Sequence, residues 1–483
     1  MLSHDLRGYV QQLRDIGQLK DIEGADPDLE VGAITELAAE GNGPALLFDN
    51  IKGFPPGYRI VSNLFTDRKR LLLALDLPLD LTISEALTKW KAVLTAFQPL
   101  PPVEVKLGPV TENTLVGEEV DLNLFPAPRW HERDGGRYIG TGDVVIVRDP
   151  DTGCVNLGIY RVMVHDRATA GVFAQRVRHG WAIANKHWRK GQACPVAVLL
   201  GPDPVTFLAA GPALWEVTEG VSEYDFAGYL RKQSVEVIKG KVTGLPIPAD
   251  TEIAVEGEIL PPEKEQRLEG PFGEYLGYYG RRALPEPVLK VKAVHFRNNP
   301  ILYGAPPLKP TFGEHFGIPF SLASLWNALD AKGINVRGIR TIAYGALVLA
   351  IRQESKEHVD RLMAFFSERV AFPNWVIIVD DDVDIHDPKD VIWAVGTRCE
   401  ASSGIRIGTQ LLHEELHPLM MPDELFGKKE PFEISKVIIN ACRPFNRIRS
   451  FPEVNVFGRE QREKTRQRWP WLQELGKYKT GPS

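Results

Sequence analysis

The sequence predicts an α/β protein of the α+β multidomain kind, and three observations carry that prediction. At 483 residues the chain is too long for one ordinary hydrophobic core, so two or three domains are needed to bury its apolar content. Its middle part is rich in short strand-like runs broken by Gly- and Pro-containing turns, whereas both ends mix helical and strand-like patterns. Two Pro-rich stretches, QPLPPVEV at 98–105 and APPLKPTFGEHFGIP at 305–319, separate these parts.

The first element is a helix over about 5–16: Leu6, Val10 and Leu13 recur at helical spacing, Ser3 is the candidate N-cap and Gly17 closes it. A second helical stretch covers about 29–39, PALLFDN at 44–50 reads as a short buried strand, and 65–75 is again helical, so the N-terminal region is mixed α and β. In the middle, DVVIVRD (143–149), VNLGIYRVMVH (155–165), VAVLL (196–200), EIAVEGEIL (252–260) and VLKVKAVHF (288–296) are β-branched runs, which predicts a barrel or sandwich with helical insertions. The Asp149-Pro150-Asp151-Thr152-Gly153 turn makes a hairpin of the first two. A helix over about 321–331 leads to a third unit. There TIAYGALVLAIR, a helix over about 357–371 and WVIIVDDDVD form a β-α-β pattern, with a further helix at about 389–395. The final RWPWLQELGKYKTG, basic and aromatic, reads as a tail packed on a neighbouring surface.

Lys and Arg number 57 against 63 Asp and Glu, for a net charge of -6, with no concentrated basic block. That disfavours nucleic acid and anionic membranes as partners and favours small-molecule chemistry. Cys154, Cys194, Cys399 and Cys442 are scattered without CxxC spacing, the usage of a reducing compartment. No apolar run approaches the roughly 18 residues of a membrane span, and the first residues lack a signal-peptide core, so a cytoplasmic location is expected.

Three stretches hold residues suited to chemistry. In LEGPFGEYLGYYG (268–280), Glu269 and Glu274 stand five positions apart. A regular strand would send them to opposite faces, but Gly270, Pro271 and Gly273 make a regular strand unsuitable, and a bend can bring both to one cavity. Two acids in one cavity repel, which raises at least one pKa toward the range of a general acid, while a guanidinium can hold the other ionised. The alternative is a surface turn with two solvated acids. In NLGIYR (156–161), Arg161 lies in an apolar run and needs an acidic partner if buried; it is either a structural ion pair or a bidentate clamp for a substrate carboxylate. Asn156 faces away from it on a regular strand unless Gly158 introduces a bulge. RHG (178–180) and SEYDFAG (222–228) contain His179 and Glu223, but no HExxH-like spacing marks either as a ligand. DDDVD (380–384) lacks the Gly and Glu of an EF-hand loop and reads as a capped strand end leading into a helix. No GxxxxGK[ST] or GxSxG is present and no convincing GxGxxG, which disfavours P-loop, Rossmann and α/β-hydrolase chemistry.

Taken in order, DPDLEVGAI, GPALLFDN, WHERDGGRYI (130–139), NLGIYR, SEYDFAG, EGPFGE and VIIVDDDVD resemble the UbiD family of prenylated-FMN-dependent (de)carboxylases over nearly the full length. The resemblance implies an N-terminal mixed α/β region (1–105), a central split β-barrel that binds the flavin (106–310), a linker helix (311–332), a C-terminal α/β dimerisation domain (333–445) and a tail (446–483). It implies an acid–Arg–acid catalytic set of Arg161, Glu269 and Glu274, with Glu274 as proton donor. It assigns Asn156, His179 and Glu223 as ligands of Mn²⁺ or Mg²⁺ bridging to the cofactor phosphate, a donor set that suits such ions. Cofactor contacts from Ile159, Tyr160, Arg161 and Arg178, and a nearby K⁺, follow from the same likeness.

The implied reaction is the reversible, non-oxidative decarboxylation of an aromatic, heteroaromatic or α,β-unsaturated carboxylic acid through a covalent adduct with the cofactor, releasing CO₂. A flavin prenyltransferase would supply the cofactor, and the chain would form a homodimer or higher homo-oligomer. His315, in the loop at 305–320, is a candidate substrate contact. The chain departs from some relatives at two places: Trp375 stands where they carry a Lys before the VIIVDDD strand, and Glu274 stands where they carry Asp. A non-catalytic prenylated-flavin carrier and a subunit of a multi-component carboxylase are the competing readings. A complete acid–Arg–acid set argues against the carrier, because binding alone does not need an acid at Glu274.

Overall fold

A computed structural model describes residues 5–176, 178–211, 220–309, 318–343, 345–368, 373–412, 416, 418–420 and 432–473. The chain divides into two compact units, one of Met1–Ala328 with Leu412–Phe432, the other of Leu329–Leu411 with Glu433–Ser483.

The first unit opens with the helix Leu6–Asp15, which buries Leu6, Tyr9, Val10 and Leu13 along one face. Its cap is Asp5, whose carboxylate accepts from the Gly8 N–H at 2.8 Å. This corrects the assignment to Ser3, which lies outside the described residues: an Asp one residue before the first turn already satisfies an unpaired N–H. After the helix Glu30–Glu40, a four-stranded sheet runs in the order Leu19–Glu23, Ala45–Asp49, Arg59–Ser62 and Ile301–Gly304. Its last strand comes from the far end of the central region.

The central sheet has ten strands. Along its main path they are Arg137–Gly140, Arg161–Asp166, Thr169–Phe173, Leu284–Phe296, Ile253–Ile259, Cys194–Leu200, Asp143–Arg148 and Val155–Gly158, and Gln266–Glu269 and Asn113–Val116 also pair with the long Leu284–Phe296 strand. Chain connectivity dictates its shape. The last strand of the path ends at Gly158 and the second begins at Arg161, three residue steps that reach roughly 11 Å at most. In a flat sheet, six strand spacings would place these strands roughly 29 Å apart. The sheet therefore curls on itself into an open barrel, filled by Val145, Val147, Val162, Val164, Val172, Val196, Val198, Val255 and Leu289.

The same connection corrects the reading of VNLGIYRVMVH as one strand: Ile159 and Tyr160 link the last strand of the path to its second. Gly158 does not form a bulge but lets the chain fold back, since a Cβ there would lie 2.5 Å from the Tyr160 hydroxyl. The predicted hairpin is present, with Val147 opposite Asn156 and Val145 opposite Gly158.

The second unit is a five-stranded sheet in the order Gly338–Ala343, Ala346–Ile351, Trp375–Asp380, Phe432–Ala441 and Ile405–Leu412. TIAYGALVLAIR is two antiparallel strands rather than one, because Gly345 turns the chain at a φ of +81°. The second of them, the helix Glu357–Glu368 and Trp375–Asp380 make the expected parallel β-α-β unit. The DDDVD run ends a strand and leads into the helix Pro388–Arg398, capped by Asp387. Among the described residues no helix is long and apolar enough to cross a membrane.

Candidate active site

The strand Gln266–Glu269 pairs with the start of Leu284–Phe296, Glu269 lying opposite Leu284. It ends at Gly270, whose φ of +87° turns the chain out of the sheet. The segment leading into the barrel's first edge strand grips the bend that follows. Gly135 N–H donates to the Pro271 carbonyl at 2.8 Å, the Asp134 carboxylate accepts from Gly273 N–H at 3.1 Å, and the Tyr138 and Phe272 rings pack 4.3 Å apart. A Cβ on Gly135 would stand 1.9 Å from the Gly270 carbonyl oxygen, so only glycine permits this approach. Downstream, the Glu274 N–H donates to the Tyr278 carbonyl at 2.8 Å.

Held in this way, the bend brings both acids to one guanidinium. Arg161, first residue of its strand, donates to Glu269 through Nε at 2.8 Å and Nη2 at 2.7 Å, and through Nη1 to Glu274. All three side chains are buried. The opposite-face objection does not apply, because Glu274 lies beyond the strand that carries Glu269. Of the two readings left open for this stretch, the solvated surface turn is excluded by burial.

Two partners of Glu269 escaped sequence reasoning. Arg281 Nη2 donates to Glu269 at 2.7 Å while its Nη1 donates to Glu286 at 2.5 Å, and the Tyr138 hydroxyl donates to Glu269 at 3.0 Å. Both guanidinium groups lie over Phe173, Arg161 at 4.3 Å and Arg281 at 4.0 Å from the ring centre, a favourable contact of a cation with a π face. Burial disfavours the Glu269 carboxylate, but Arg161 and Arg281 overcome it and hold the group at a pKa of about 2. Burial raises the Tyr138 hydroxyl pKa, and the neighbouring Glu269 charge raises it further, so Tyr138 remains a donor. Arg281 had a faint signal, two arginines directly after GYYG with Glu286 on the strand beyond; Tyr138 lay within WHERDGGRYI without a role.

A second cluster lies across the hairpin. Glu223 opens the helix Glu223–Arg231, which is capped by Ser222 and Asp225 in a reciprocal box. Its carboxylate accepts from Asn156 Nδ2 at 2.9 Å and from Leu157 N–H at 2.8 Å. Burial drives its pKa up to about 7, and the two hydrogen bonds only partly offset this. The Asn156 carbonyl oxygen is buried with no hydrogen-bond partner. His179 opens the helix His179–Arg189, with Arg178 at its cap, and its side chain is exposed. Both helices pack against the strand Val155–Gly158 that carries Asn156. Gly180 N–H donates to the Tyr160 hydroxyl at 3.0 Å, Ile159 is half-buried beside it, and Arg178 donates to Gln175 at 3.3 Å. His315 lies outside the described residues, and Trp375 is 54% exposed at the start of its strand.

A curled barrel that buries an acid, a guanidinium and a second acid in one contact set is the equipment of an enzyme that handles carboxylates and protons. The chain belongs to the UbiD family of carboxy-lyases. The family models for the N-terminal, Rift-related and C-terminal domains of 3-octaprenyl-4-hydroxybenzoate carboxy-lyase match residues 10–90, 102–310 and 323–441. The chain is 34% identical to pyrrole-2-carboxylic acid decarboxylase of Pseudomonas aeruginosa over 82% of this chain and 83% of that one. It is 31% identical to phenolic acid decarboxylase of a Streptomyces species over 92% and 93%. Among solved structures it is similar to the UbiD-class enzyme HmfF of Pelotomaculum thermopropionicum in complex with FMN, at a TM-score of 0.80 and 28% identity over 95% of this chain and 98% of that one. A dimeric evolved form of HmfF was solved with prFMN.

Proposed function

We propose that the protein decarboxylates an aromatic or heteroaromatic carboxylic acid, reversibly and without oxidation, with prenylated FMN as cofactor and Glu274 as proton donor. The observation that carries this reading is the convergence of Glu269 and Glu274 on Arg161. The names of the pyrrole-2-carboxylic acid and phenolic acid decarboxylases favour ring-bearing acids within the class.

Arg161 uses Nε and Nη2 on Glu269, so that carboxylate stays ionised and fixes the guanidinium plane. Nη1 is the remaining edge, shared with Glu274. When Glu274 carries a proton its pull on Nη1 weakens, and that N–H is free to receive the substrate carboxylate. After CO₂ leaves, Glu274 returns the proton to the substrate carbon and its new charge is met by the same Nη1. When bound, prenylated FMN supplies a carbon framework that takes up the electron pair left by CO₂.

The residues fit the cofactor's cation. The Asn156 amide oxygen is buried without a hydrogen-bond partner and the Glu223 carboxylate is buried beside it, oxygen donors whose chemistry supports a cation there. Asn156 and Glu223 would hold Mn²⁺ or Mg²⁺ with His179. Among the described residues no group of three or more His, Cys, Asp or Glu side chains is gathered as a metal site; the Asn156 amide would be a donor outside that set. The second unit exposes Trp375, Trp393, Phe457, Trp469 and Trp471, apolar area suited to self-association.

The test is co-expression with a flavin prenyltransferase, followed by a panel of aryl, heteroaryl and acrylic acids assayed for CO₂ release and carbon-bound H/D exchange. Turnover is expected for at least one ring-bearing acid. Cofactor-loaded protein that turns over none of the panel would contradict the proposal.

A further inference from the structure

Ion pairs continue beyond Arg161 into a chain of alternating charge: Glu286, Arg281, Glu269, Arg161, Glu274. We infer that this chain places its one exchangeable proton on Glu274, and that Arg281 is the positioning residue that keeps it there. The inference rests on the reading of Glu274 as proton donor and adds the reason why that acid, of three, carries the proton.

Three carboxylates and two guanidinium groups leave one net negative charge if all are ionised, in a site where every member but Glu286 is nearly closed to water. Binding one proton removes that charge, and burial favours the neutral count. Glu269 is the poorest place for the proton, because it accepts four hydrogen bonds: two from Arg161, one from Arg281 and one from Tyr138. Glu286 shares Arg281 evenly with Glu269, one N–H to each, and its side chain is 14% exposed, so water also supports its charge. Glu274 shares a guanidinium already committed twice to Glu269 and is 6% exposed. The proton therefore falls to the end of the chain at Nη1, the one edge of Arg161 not given to Glu269.

Arg281 makes this assignment unequal. Without it, Glu269 and Glu274 would divide a single guanidinium and compete for the proton, as two carboxylates sharing one site do. The other groups facing the set do not substitute for it. Asp134 accepts from the Gly273 and His131 N–H groups, with the His131 ring 3.5 Å away. Tyr138 is a neutral donor. His165 stands on the Arg161 strand, and burial and then Arg267 lower its pKa so that it stays neutral. Arg267 is paired with Asp166 and Glu265.

The test is the pH–rate profile of the cofactor-loaded enzyme, with flavin absorbance recorded to confirm equal loading. Arg281→Met is expected to lower kcat about tenfold and to move the basic limb up by about one pH unit, since removing a buried positive charge makes the nearby proton harder to lose. Arg281→Lys should restore most of the limb position. Glu286→Gln removes a negative charge and should move the basic limb down; this variant decides the matter alone if Arg281→Met does not fold. Basic limbs unmoved in the folded variants, or loss of cofactor with no change in pH profile, would overturn the inference while an inactive Glu274→Gln left the proposed function standing. Full activity in Glu274→Gln would instead overturn the proposed function.

Discussion

Two acidic clusters, one in each unit, meet arginines in different proportion. In the second unit Asp380, Asp381 and Asp382 face Arg398, Arg443 and Arg352, three charges against three. Asp380 also accepts from the Arg443 N–H at 2.7 Å and from Gln353 at 2.8 Å, and Asp382 takes both Arg398 Nη atoms, at 2.8 and 2.9 Å. In the barrel, three acids face two arginines. The balanced cluster ties a strand end to a helix. In the barrel, the excess of one buried acid is what suits that cluster to acid chemistry.

The largest effect on turnover is expected from Gly135→Ala. Its Cβ must displace the Gly270 carbonyl, shifting the bend that carries Glu274, and a displacement near 1 Å costs about 100-fold in rate; steady-state kinetics on folded, cofactor-loaded variant checks it. Arg398→Met should leave the chemistry alone and destabilise the second unit by about 2 kcal/mol, because it removes two charge-assisted hydrogen bonds to Asp382 and a longer contact to buried Asp380. A lowered denaturation midpoint with an unchanged pH–rate profile is the expected result. Asn156→Ala is expected to reduce cofactor and metal retention together, measured by absorbance and metal analysis. Normal occupancy of both would remove Asn156 from the proposed ligands.

Glu269 supplies a pH test of stability. Its carboxyl falls from an ordinary 4.5 to about 2 in the folded protein. A lowered folded pKa stabilises at neutral pH, and the contribution is lost as pH falls from about 4.5 to about 2, on the order of 3 kcal/mol in total. Denaturant midpoints measured across that window should fall in the wild type, and Glu269→Gln should flatten this part of the dependence.

Much of the fold is legible in the sequence because its signals are local. Asp149-Pro150-Asp151-Thr152-Gly153 makes the hairpin it predicts, and β-branched runs such as VAVLL make barrel strands. What periodicity misses is where a strand stops. VNLGIYRVMVH has an unbroken apolar pattern, yet it splits at Ile159 because the Tyr160 ring occupies the space beside Gly158 and Gly180, a contact set by the distant helix His179–Arg189. The acids of the candidate site are visible as a pair, whereas Arg281 and Tyr138 reach Glu269 from 12 and 131 positions away, and nothing in local spacing joins them. Asn156 and Glu223, 67 positions apart, meet only because a helix start packs on a barrel strand.

Glu274, held with Glu269 on one guanidinium, is the group proposed to deliver the proton to the substrate carbon. The most direct test is carbon-bound H/D exchange into the decarboxylation product by cofactor-loaded Glu274→Gln. Normal flavin content with exchange and CO₂ release both abolished is the expected result. Exchange at the wild-type rate in that variant would contradict it.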